Sequence, residues 1–231
     1  MRLMVFMLLG CAVSGVLYLV CYGGYGGPID WLMATARHGS RGGNHVALTF
    51  DDGPDPARTP ALLDALAELD VKATFFVVGD RIDANPELCA RIAREGHELG
   101  NHTYSHRYLP LAPSRSVERE LRATDRALVR ATGTVSSIAR PPYGGRSPWT
   151  VRAFARLAKR LVLWDVNSFD WKGKSALAVS QRVLERVRGG SIVLFHEARD
   201  GGEVTVDAIR MIVPALRARG YELVTVTRAI A

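Results

Sequence analysis

The sequence of 231 residues has few cysteines, no block of basic residues and no internal repeat. Two of its three cysteines, Cys11 and Cys21, lie in one apolar N-terminal stretch. Because Cys89 is then the only thiol in the remainder, no intrachain disulfide can brace a folded domain. Low-complexity segments are also absent, and the length fits one domain of ordinary size with a short appendage.

Positive charge is spread along the chain instead of being concentrated. The formal net charge is +7, but the arginines are scattered over helical patterns and aromatic residues are not interleaved with basic runs. This arrangement argues against a nucleic-acid partner and permits an anionic envelope polymer or a membrane surface. The hydrophobic fraction of 48% and the charged fraction of 23% are ordinary for a globular protein with a sizeable core.

The N-terminus carries the one long apolar run. From Leu3 to Tyr22 the chain has no charged residue, and this length can cross a bilayer as a helix. Arg2 and the free amine favour a cytoplasmic start, so we expect a membrane anchor with the rest of the chain outside the cytoplasm, periplasmic or at the cell surface. Cleavage near Ala12–Ser14, which would give a secreted protein, and lipidation after Leu9–Gly10 are alternatives. The apolar run continues past both sites, which favours the anchor, although basic residues beyond the span give some support to the opposite orientation.

The chain divides into three segments. We predict an anchor or signal in residues 1–22, a linker in residues 23–44 and a folded domain in residues 45–231. In the domain, strand-like runs alternate with helical patterns, which predicts an α/β fold with a parallel sheet, either open or closed into a barrel. The strand-like runs are Val46–Phe50, Ala73–Val78, Glu98–Gly100, Ser136–Ala139, Leu161–Val166, Ser191–Phe195 and Glu222–Thr227. The helical patterns are Thr59–Leu69, Pro86–Glu95, Ser116–Thr132, Pro148–Ala158, Ala176–Arg188 and Val204–Arg219.

Chemically active side chains come directly after most of these strands. Parallel α/β sheets bind their ligands at the C-terminal ends of the strands, so these side chains are expected to meet at one end of the sheet. They are Asp51 and Asp52 after the first strand, His102 and His106 after the third, and Arg140, Asp170 and His196 after the fourth, fifth and sixth.

Asp51 and Asp52 end a buried strand and are followed by the turn residues Gly53 and Pro54. Successive strand side chains point to opposite faces, so the two acids can occupy different environments. One can serve as a general base and the other as a metal ligand. The alternative is an ordinary acidic turn whose carboxylates bond to nearby backbone amides.

His102 and His106 are four residues apart, a spacing that lets both imidazoles reach one metal from a helix or a tight loop. Together with Asp52 they would leave open positions for water and substrate, as a hydrolytic site needs. The alternative is a pair of surface histidines near a turn.

Arg140 precedes two prolines that stiffen the backbone, and an arginine held in this way can grip a carboxylate. His196 lies at the mouth of a buried strand, where it can act as an acid if a carboxylate such as Asp170 offsets the cost of burying its cation.

Five motifs in this order resemble the polysaccharide deacetylases of the NodB-homology type, carbohydrate esterase family 4. The resemblance covers about Asn44 to Ala231 and implies an irregular (β/α) barrel, usually with seven strands. The motifs are Thr49-Phe50-Asp51-Asp52-Gly53-Pro54, His102-Thr103-Tyr104-Ser105-His106, Arg140-Pro141-Pro142-Tyr143, Asp170-Trp171 and Leu194-Phe195-His196.

The resemblance implies that Asp52, His102 and His106 bind a divalent metal, usually zinc, with cobalt or manganese as alternatives. It implies that Asp51 is the general base and that Arg140 fixes its orientation.

The resemblance also implies that the backbone N–H of Tyr143 stabilises the oxyanion and that His196 is the general acid, tuned by Asp170. One position departs from the family pattern, because Asn167 stands where members often have an aspartate. This position therefore supplies an amide and no carboxylate.

The implied activity is removal of N-acetyl groups from amino sugars of a cell-envelope polysaccharide. The alternatives are a deacetylase or deformylase of a lipid-linked sugar, to which the anchor would give access, and a catalytically silent glycan-binding module. No pattern in the chain specifies the polymer or an oligomeric state.

Overall fold

The computed structural model describes residues 34–172, 175–197 and 202–231. Its strands are β1 (Thr35–Ala36), β2 (His45–Gly53), β3 (Thr74–Val77), β4 (Glu98–Asn101), β5 (Ile138–Ala139), β6 (Arg160–Val162), β7 (Val166–Asn167), β8 (Ile192–His196) and β9 (Glu222–Leu223). Its helices are α1 (Thr59–Glu68), α2 (Gly79–Ala84), α3 (Pro86–Arg94), α4 (Ser114–Thr132), α5 (Pro148–Arg156), α6 (Ala176–Arg186), α7 (Gly202–Ala218) and α8 (Val226–Ala229).

The strands form one parallel sheet in the order β1-β6-β5-β4-β3-β2-β8-β7, with β9 also paired to β2. β6 and β7 lie near opposite ends of this path, yet only residues 163–165 connect them. Three residues span at most about 14 Å between the flanking strands, so the sheet must curl until its two ends approach each other. The predicted α/β class is confirmed, and the curled parallel sheet fits an irregular (β/α) barrel.

Alternate residues of β2 belong to different halves of the core. Val46, Leu48 and Phe50 pack in a cluster with the helices, whereas Ala47 packs in a second cluster with residues of β3, β5, β6 and β8. Asp51 continues the Ala47 side of the strand, because side chains on one face recur every second residue. The alternation of side chains along β2 therefore places Asp51 on the inner side of the curled sheet, at the C-terminal end of the strand.

Local capping explains where several helices begin and end. The hydroxyl of Ser147 accepts from the N–H of Thr150 at the start of α5, and Ser175 accepts from Ala178 in the same way at the start of α6. Gly133 ends α4 in a left-handed conformation with φ of 76°, which costs glycine little.

Some elements differ from the sequence prediction. The predicted strand Leu161–Val166 is two strands, β6 and β7, and the predicted strand Glu222–Thr227 is β9 followed by the short helix α8. α2 and β1 were not predicted, since six and two residues are too short to show a hydrophobic period.

The last part of the predicted linker belongs to the folded domain. Thr35 and Ala36 pair with β6, and the N–H of Gly39 donates to the carbonyl of Gly190 over 2.8 Å. The predicted membrane segment Leu3–Tyr22 lies outside the described residues. Within the ranges that the structure does describe, no helix combines the length and the apolar character that a bilayer span requires.

Candidate active site

The predicted site residues meet at the C-terminal end of the parallel strands. A cavity of about 280 Å³ opens there. Its lining includes six of the predicted residues, while Arg140 and Asp170 lie buried behind it. The lining residues are Asp51, Asp52, His102, His106, Tyr143, Trp164, Asn167, Phe169, Trp171, Leu194 and His196.

The two neighbouring acids have different partners. Oδ1 of Asp51 accepts from Nη1 of Arg140 over 2.6 Å. Oδ1 of Asp52 instead lies 2.9 Å from Nε2 of His106 and 3.4 Å from Nε2 of His102. Asp52 leaves the regular strand geometry with φ of 74°, which turns its carboxylate toward the histidines. The pair therefore does not behave as an interchangeable acidic turn.

Asp52, His102 and His106 offer ligand atoms that all lie within 4.8 Å of one another. Nδ1 of His102 lies 2.7 Å from the carbonyl oxygen of Arg140. Because a carbonyl can only accept, that nitrogen carries the hydrogen, and in the neutral imidazole Nε2 then offers its lone pair toward the cavity. Two imidazole nitrogens and one carboxylate oxygen are the ligand types of hydrolytic metal sites, so these residues fit a divalent metal.

The electrostatics of these groups also favour a cation between them. Burial alone would raise the pKa of Asp52, but hydrogen bonds to His102 and His106 outweigh it and hold the pKa well below its usual range. Burial would lower the pKa of His102, but Asp51 and Asp52 outweigh burial and raise it. Two buried acids thus attract positive charge to this corner, and a divalent metal meets the same need.

Arg140 is fully buried and fixes Asp51 in place. Its Nη1 also donates to the hydroxyl of Thr49 over 2.8 Å, and its Nη2 donates to the carbonyl of Leu163 over 3.0 Å. The guanidinium carbon lies 3.9 Å from the centre of the Phe76 ring. With Oδ1 bound by Arg140, the second oxygen of Asp51 faces His102, 3.7 Å from its Nε2.

His196 is held on the other side of the cavity by Asp170. Nδ1 of His196 lies 3.0 Å from Oδ1 of Asp170, and the backbone N–H of His196 donates to Oδ2 over 2.7 Å. The hydroxyl of Thr205 donates to the same Oδ2 over 2.9 Å. This arrangement orients the ring and leaves Nε2 for contact with a bound molecule.

Tyr143 lies at the edge of the cavity, with its ring centre 4.9 Å from that of His106. It occupies a left-handed conformation with φ of 60°, within a short turn over Pro142–Gly144. Asn167, the position that departs from the family pattern, accepts the N–H of Phe169 at its side-chain oxygen over 2.9 Å. That contact needs an acceptor oxygen and no charge.

Unusual backbone conformations concentrate at this site. Of the eight non-glycine residues with positive φ in the described chain, five belong to the segments around the cavity. They are Asp52, Thr103, His106, Tyr143 and Phe169. Such conformations persist where the surrounding structure enforces them, as it does around functional sites.

Sequence reasoning missed three supporting residues. Glu120 on α4 accepts the backbone N–H groups of Tyr104 and Ser105 over 3.0 and 2.8 Å, and so shapes the loop between the two histidines. Thr205 supports Asp170, as described above. Glu197, directly after His196, is buried against Gly53 and accepts from the hydroxyl of Thr59 over 2.5 Å. Glu120 and Thr205 lie within helices and carry no such signal, whereas Glu197 directly follows β8 and could have been singled out by its position at a strand end.

Known proteins are similar to this chain in sequence and in fold. The family model for polysaccharide deacetylases matches residues 38–162. The chain is 38% identical over 201 residues to a peptidoglycan-N-acetylglucosamine deacetylase of Bacillus cereus, covering 86% of this chain and 73% of the relative. It is also 38% identical over 204 residues to a chitooligosaccharide deacetylase of Sinorhizobium fredii, covering 84% of this chain and 94% of the relative.

A crystal structure of the Bc1960 peptidoglycan N-acetylglucosamine deacetylase, in complex with 4-naphthalen-1-yl-N-oxidanyl-benzamide, is similar with a TM-score of 0.85. Its sequence identity is 36%, and the match covers 89% of this chain and 97% of that one. The sequence motifs, the fold and these relatives agree. The chain is therefore a deacetylase that belongs to the polysaccharide deacetylase family, the NodB-homology enzymes of carbohydrate esterase family 4.

Proposed function

We propose that this enzyme hydrolyses the N-acetyl groups of amino sugars in a cell-envelope polysaccharide, with zinc as its metal. One observation carries the proposal. A single cavity places a possible metal site beside an Arg-held aspartate, Asp51, and has an Asp-held histidine, His196, in its wall. The names of the relatives, which include peptidoglycan and chitooligosaccharide deacetylases, support this class of substrate.

Asp52, His102 and His106 would hold the metal. Zinc suits a set of two imidazole nitrogens and one carboxylate oxygen, with cobalt and manganese as the competing ions. When bound, the metal supplies Lewis acidity to the acetyl carbonyl and to the attacking water.

Asp51 acts as the general base. Arg140 occupies one of its oxygens, so the other oxygen is left to accept the proton of the attacking water. Thr49, which also accepts from Arg140, prevents the guanidinium from turning away.

Two further groups complete the reaction. The backbone N–H of Tyr143 acts as a donor to the oxyanion that develops on the acetyl carbonyl. His196 then gives the proton from Nε2 to the leaving nitrogen, because an amide releases its amine readily only after protonation. Asp170 orients the His196 ring for this transfer.

Acetate release measured beside metal content tests the proposal. We expect the purified protein to contain zinc and to release acetate from an N-acetylated oligosaccharide, to lose this activity on chelation and to regain it when zinc is returned. Unchanged activity after complete removal of metal would contradict the assigned role of the metal site. No acetate release from any N-acetylated glycan by the zinc-loaded enzyme would contradict the proposed reaction.

A further inference from the structure

The outer face of helix α4 carries a line of arginines. They recur at intervals of three or four residues, and a helix that turns about 100° per residue brings such positions onto one face. All of them are exposed to solvent, and the line is about 22 Å long. The members of this arginine stripe are Arg115, Arg119, Arg122, Arg126 and Arg130. Charge that is scattered in the sequence is therefore concentrated on one surface of the fold.

The three acids of α4 have partners outside the arginine stripe. An oxygen of Asp125 lies 2.8 Å from Nζ of Lys159. An oxygen of Glu118 lies 3.0 Å from Nη1 of Arg156 on the neighbouring helix α5. Glu120 accepts from the loop between the metal-site histidines, as described above. These acids are therefore bound to neighbouring elements and do not hold the arginines.

Within the described chain, one member of the stripe, Arg130, pairs with a carboxylate. Its partner is Asp83, 2.5 Å away. Arg119 donates over 3.0 Å to the hydroxyl of Ser116, which is a neutral group. The other three members form no ion pair with any acid of the described residues: Arg115, Arg122 and Arg126. Close like charges repel each other, so an anionic surface placed against them lowers the free energy.

Exposed aliphatic side chains accompany the arginine stripe. Leu111, just before α4, is 76% exposed, and Val135, just after it, is 63% exposed. A shallow hollow of about 380 Å³ lies beside the C-terminal part of the helix, where guanidinium groups and aliphatic side chains meet. Its lining residues are Asp125, Arg126, Val129, Arg130 and Val135.

This mixture of groups fits a phospholipid surface better than a dissolved polyanion. A soluble polyanion gains from the arginines but nothing from the exposed leucine and valines. At a bilayer interface the arginines bind lipid phosphates, and the aliphatic side chains enter the boundary between head groups and acyl chains. The combination therefore favours a bilayer as the occupant of this face.

We propose that the arginine stripe is a docking surface for a bilayer that contains anionic phospholipids, and that it lays the domain on its side against the membrane. The helix α4 connects the parallel strands β4 and β5, so it runs antiparallel to them. With α4 on the bilayer, the strands lie along the membrane surface and the cavity mouth opens sideways, away from the lipid. This inference goes beyond the proposed function and does not depend on it.

The test measures how close α4 lies to lipid in the full chain. Ala123→Cys places one reactive thiol beside the stripe when Cys11 and Cys21 are replaced by serine, because Cys89 is fully buried. A nitroxide on that thiol is compared in nanodiscs of phosphatidylcholine alone and in nanodiscs with roughly a quarter phosphatidylglycerol, enough to give an anionic surface. We expect its collision rate with a water-soluble nickel chelate to fall by about 3-fold or more in the anionic discs and to recover at high salt.

Two triple variants separate the stripe from net charge. Arg115→Gln, Arg122→Gln and Arg126→Gln together should restore the accessibility of the nitroxide in anionic discs. Each basic residue near an anionic surface contributes about 5-fold, so this variant should lower the ratio of docked to undocked molecules by about 100-fold. The matched control removes the same charge near the ends of α6 and α7 and should leave the molecule docked. Its substitutions to glutamine are made at three exposed residues, Arg186, Arg188 and Arg217.

Three outcomes would overturn the docking surface. The first is equal accessibility of the nitroxide in neutral and anionic discs. The second is an equal effect of the control variant, which would assign docking to net charge. The third is protection that appears only when soluble polyphosphate is added to neutral discs, which would make the stripe a polyanion site. Because none of the substituted arginines lines the cavity, both triple variants should release acetate from a soluble oligosaccharide as the unaltered enzyme does, which shows that they are folded.

Discussion

Asp51 and Asp52 are adjacent in sequence, yet Arg140 holds one and two histidines surround the other. Asp52→Asn should therefore lower metal affinity by about 10-fold or more, because a charged ligand is lost. Asp51→Asn should keep the metal and the fold, since the amide is nearly isosteric. It should reduce kcat by about 10²- to 10⁴-fold, because the proton acceptor is lost. Metal stoichiometry and steady-state kinetics of both variants provide the measurement.

The unaltered enzyme, loaded with metal in the same way, is the reference for both variants. Equal metal loss in the two, or near-normal turnover in Asp51→Asn, would mean that the roles of the acids are wrongly assigned.

A single buried side chain, that of Glu197, also makes the stability of the fold depend on pH. Burial raises its pKa from 4.5 to about 8, opposed by the hydrogen bond from Thr59. The folded state thus holds a proton that the unfolded state releases, so stability is greatest below about pH 4.5 and falls as pH rises toward 8. Glu197→Gln removes this loss, on the order of 4 kcal/mol. Thermal unfolding from pH 5 to 8 should show the variant's Tm advantage growing with pH.

The unaltered protein and the variant should differ least at the acidic end of that range. Parallel Tm curves across the whole range would contradict a protonated Glu197 in the fold.

At the scale of elements, helix α4 supports the loop between the metal-site histidines. Glu120→Ala should release the backbone N–H groups of Tyr104 and Ser105 and weaken metal binding by about 10- to 100-fold, as loss of supporting contacts does in other metal sites. Competition with a calibrated chelator measures the affinity.

Glu118→Ala is the matched control, because Glu118 lies on the same helix and pairs with Arg156 instead. Unchanged affinity in Glu120→Ala, or an equal loss in the control, would show that α4 does not organise the site.

The sequence predicted the helices and strands that have a clear hydrophobic period, and it predicted the site residues that directly follow the strands. β2 is a continuous apolar run ending in two acids, so both the strand and the site residues at its end could be predicted. The partners of Arg140 other than Asp51 could not be predicted, because Thr49 is an ordinary strand residue in the sequence and Leu163 contributes only a carbonyl. β1 was missed because its pairing with β6, and not a local pattern, determines it, and α2 was missed because six residues are too short to show a hydrophobic period.

At the scale of the whole molecule, residues 1–22 remain a predicted membrane anchor. We expect the native protein to fractionate with membranes at nearly full mass and its domain to be digested by protease added to spheroplasts. A domain protected from that protease would contradict the predicted orientation. A soluble form shortened near Ser14 would instead show that the segment is removed.

The direction of β1 determines which way an anchored enzyme would face. β1 runs parallel to β6, so the chain enters the sheet at the end where the strands begin, and the cavity lies at the other end. A tether joined at that entry would attach the domain on the side opposite to the cavity mouth. Residues 23–33 reach at most roughly 40 Å when fully extended. The catalytic groups would thus lie some nanometres above the membrane surface. This position suits glycan strands of the envelope better than sugars attached to lipid head groups.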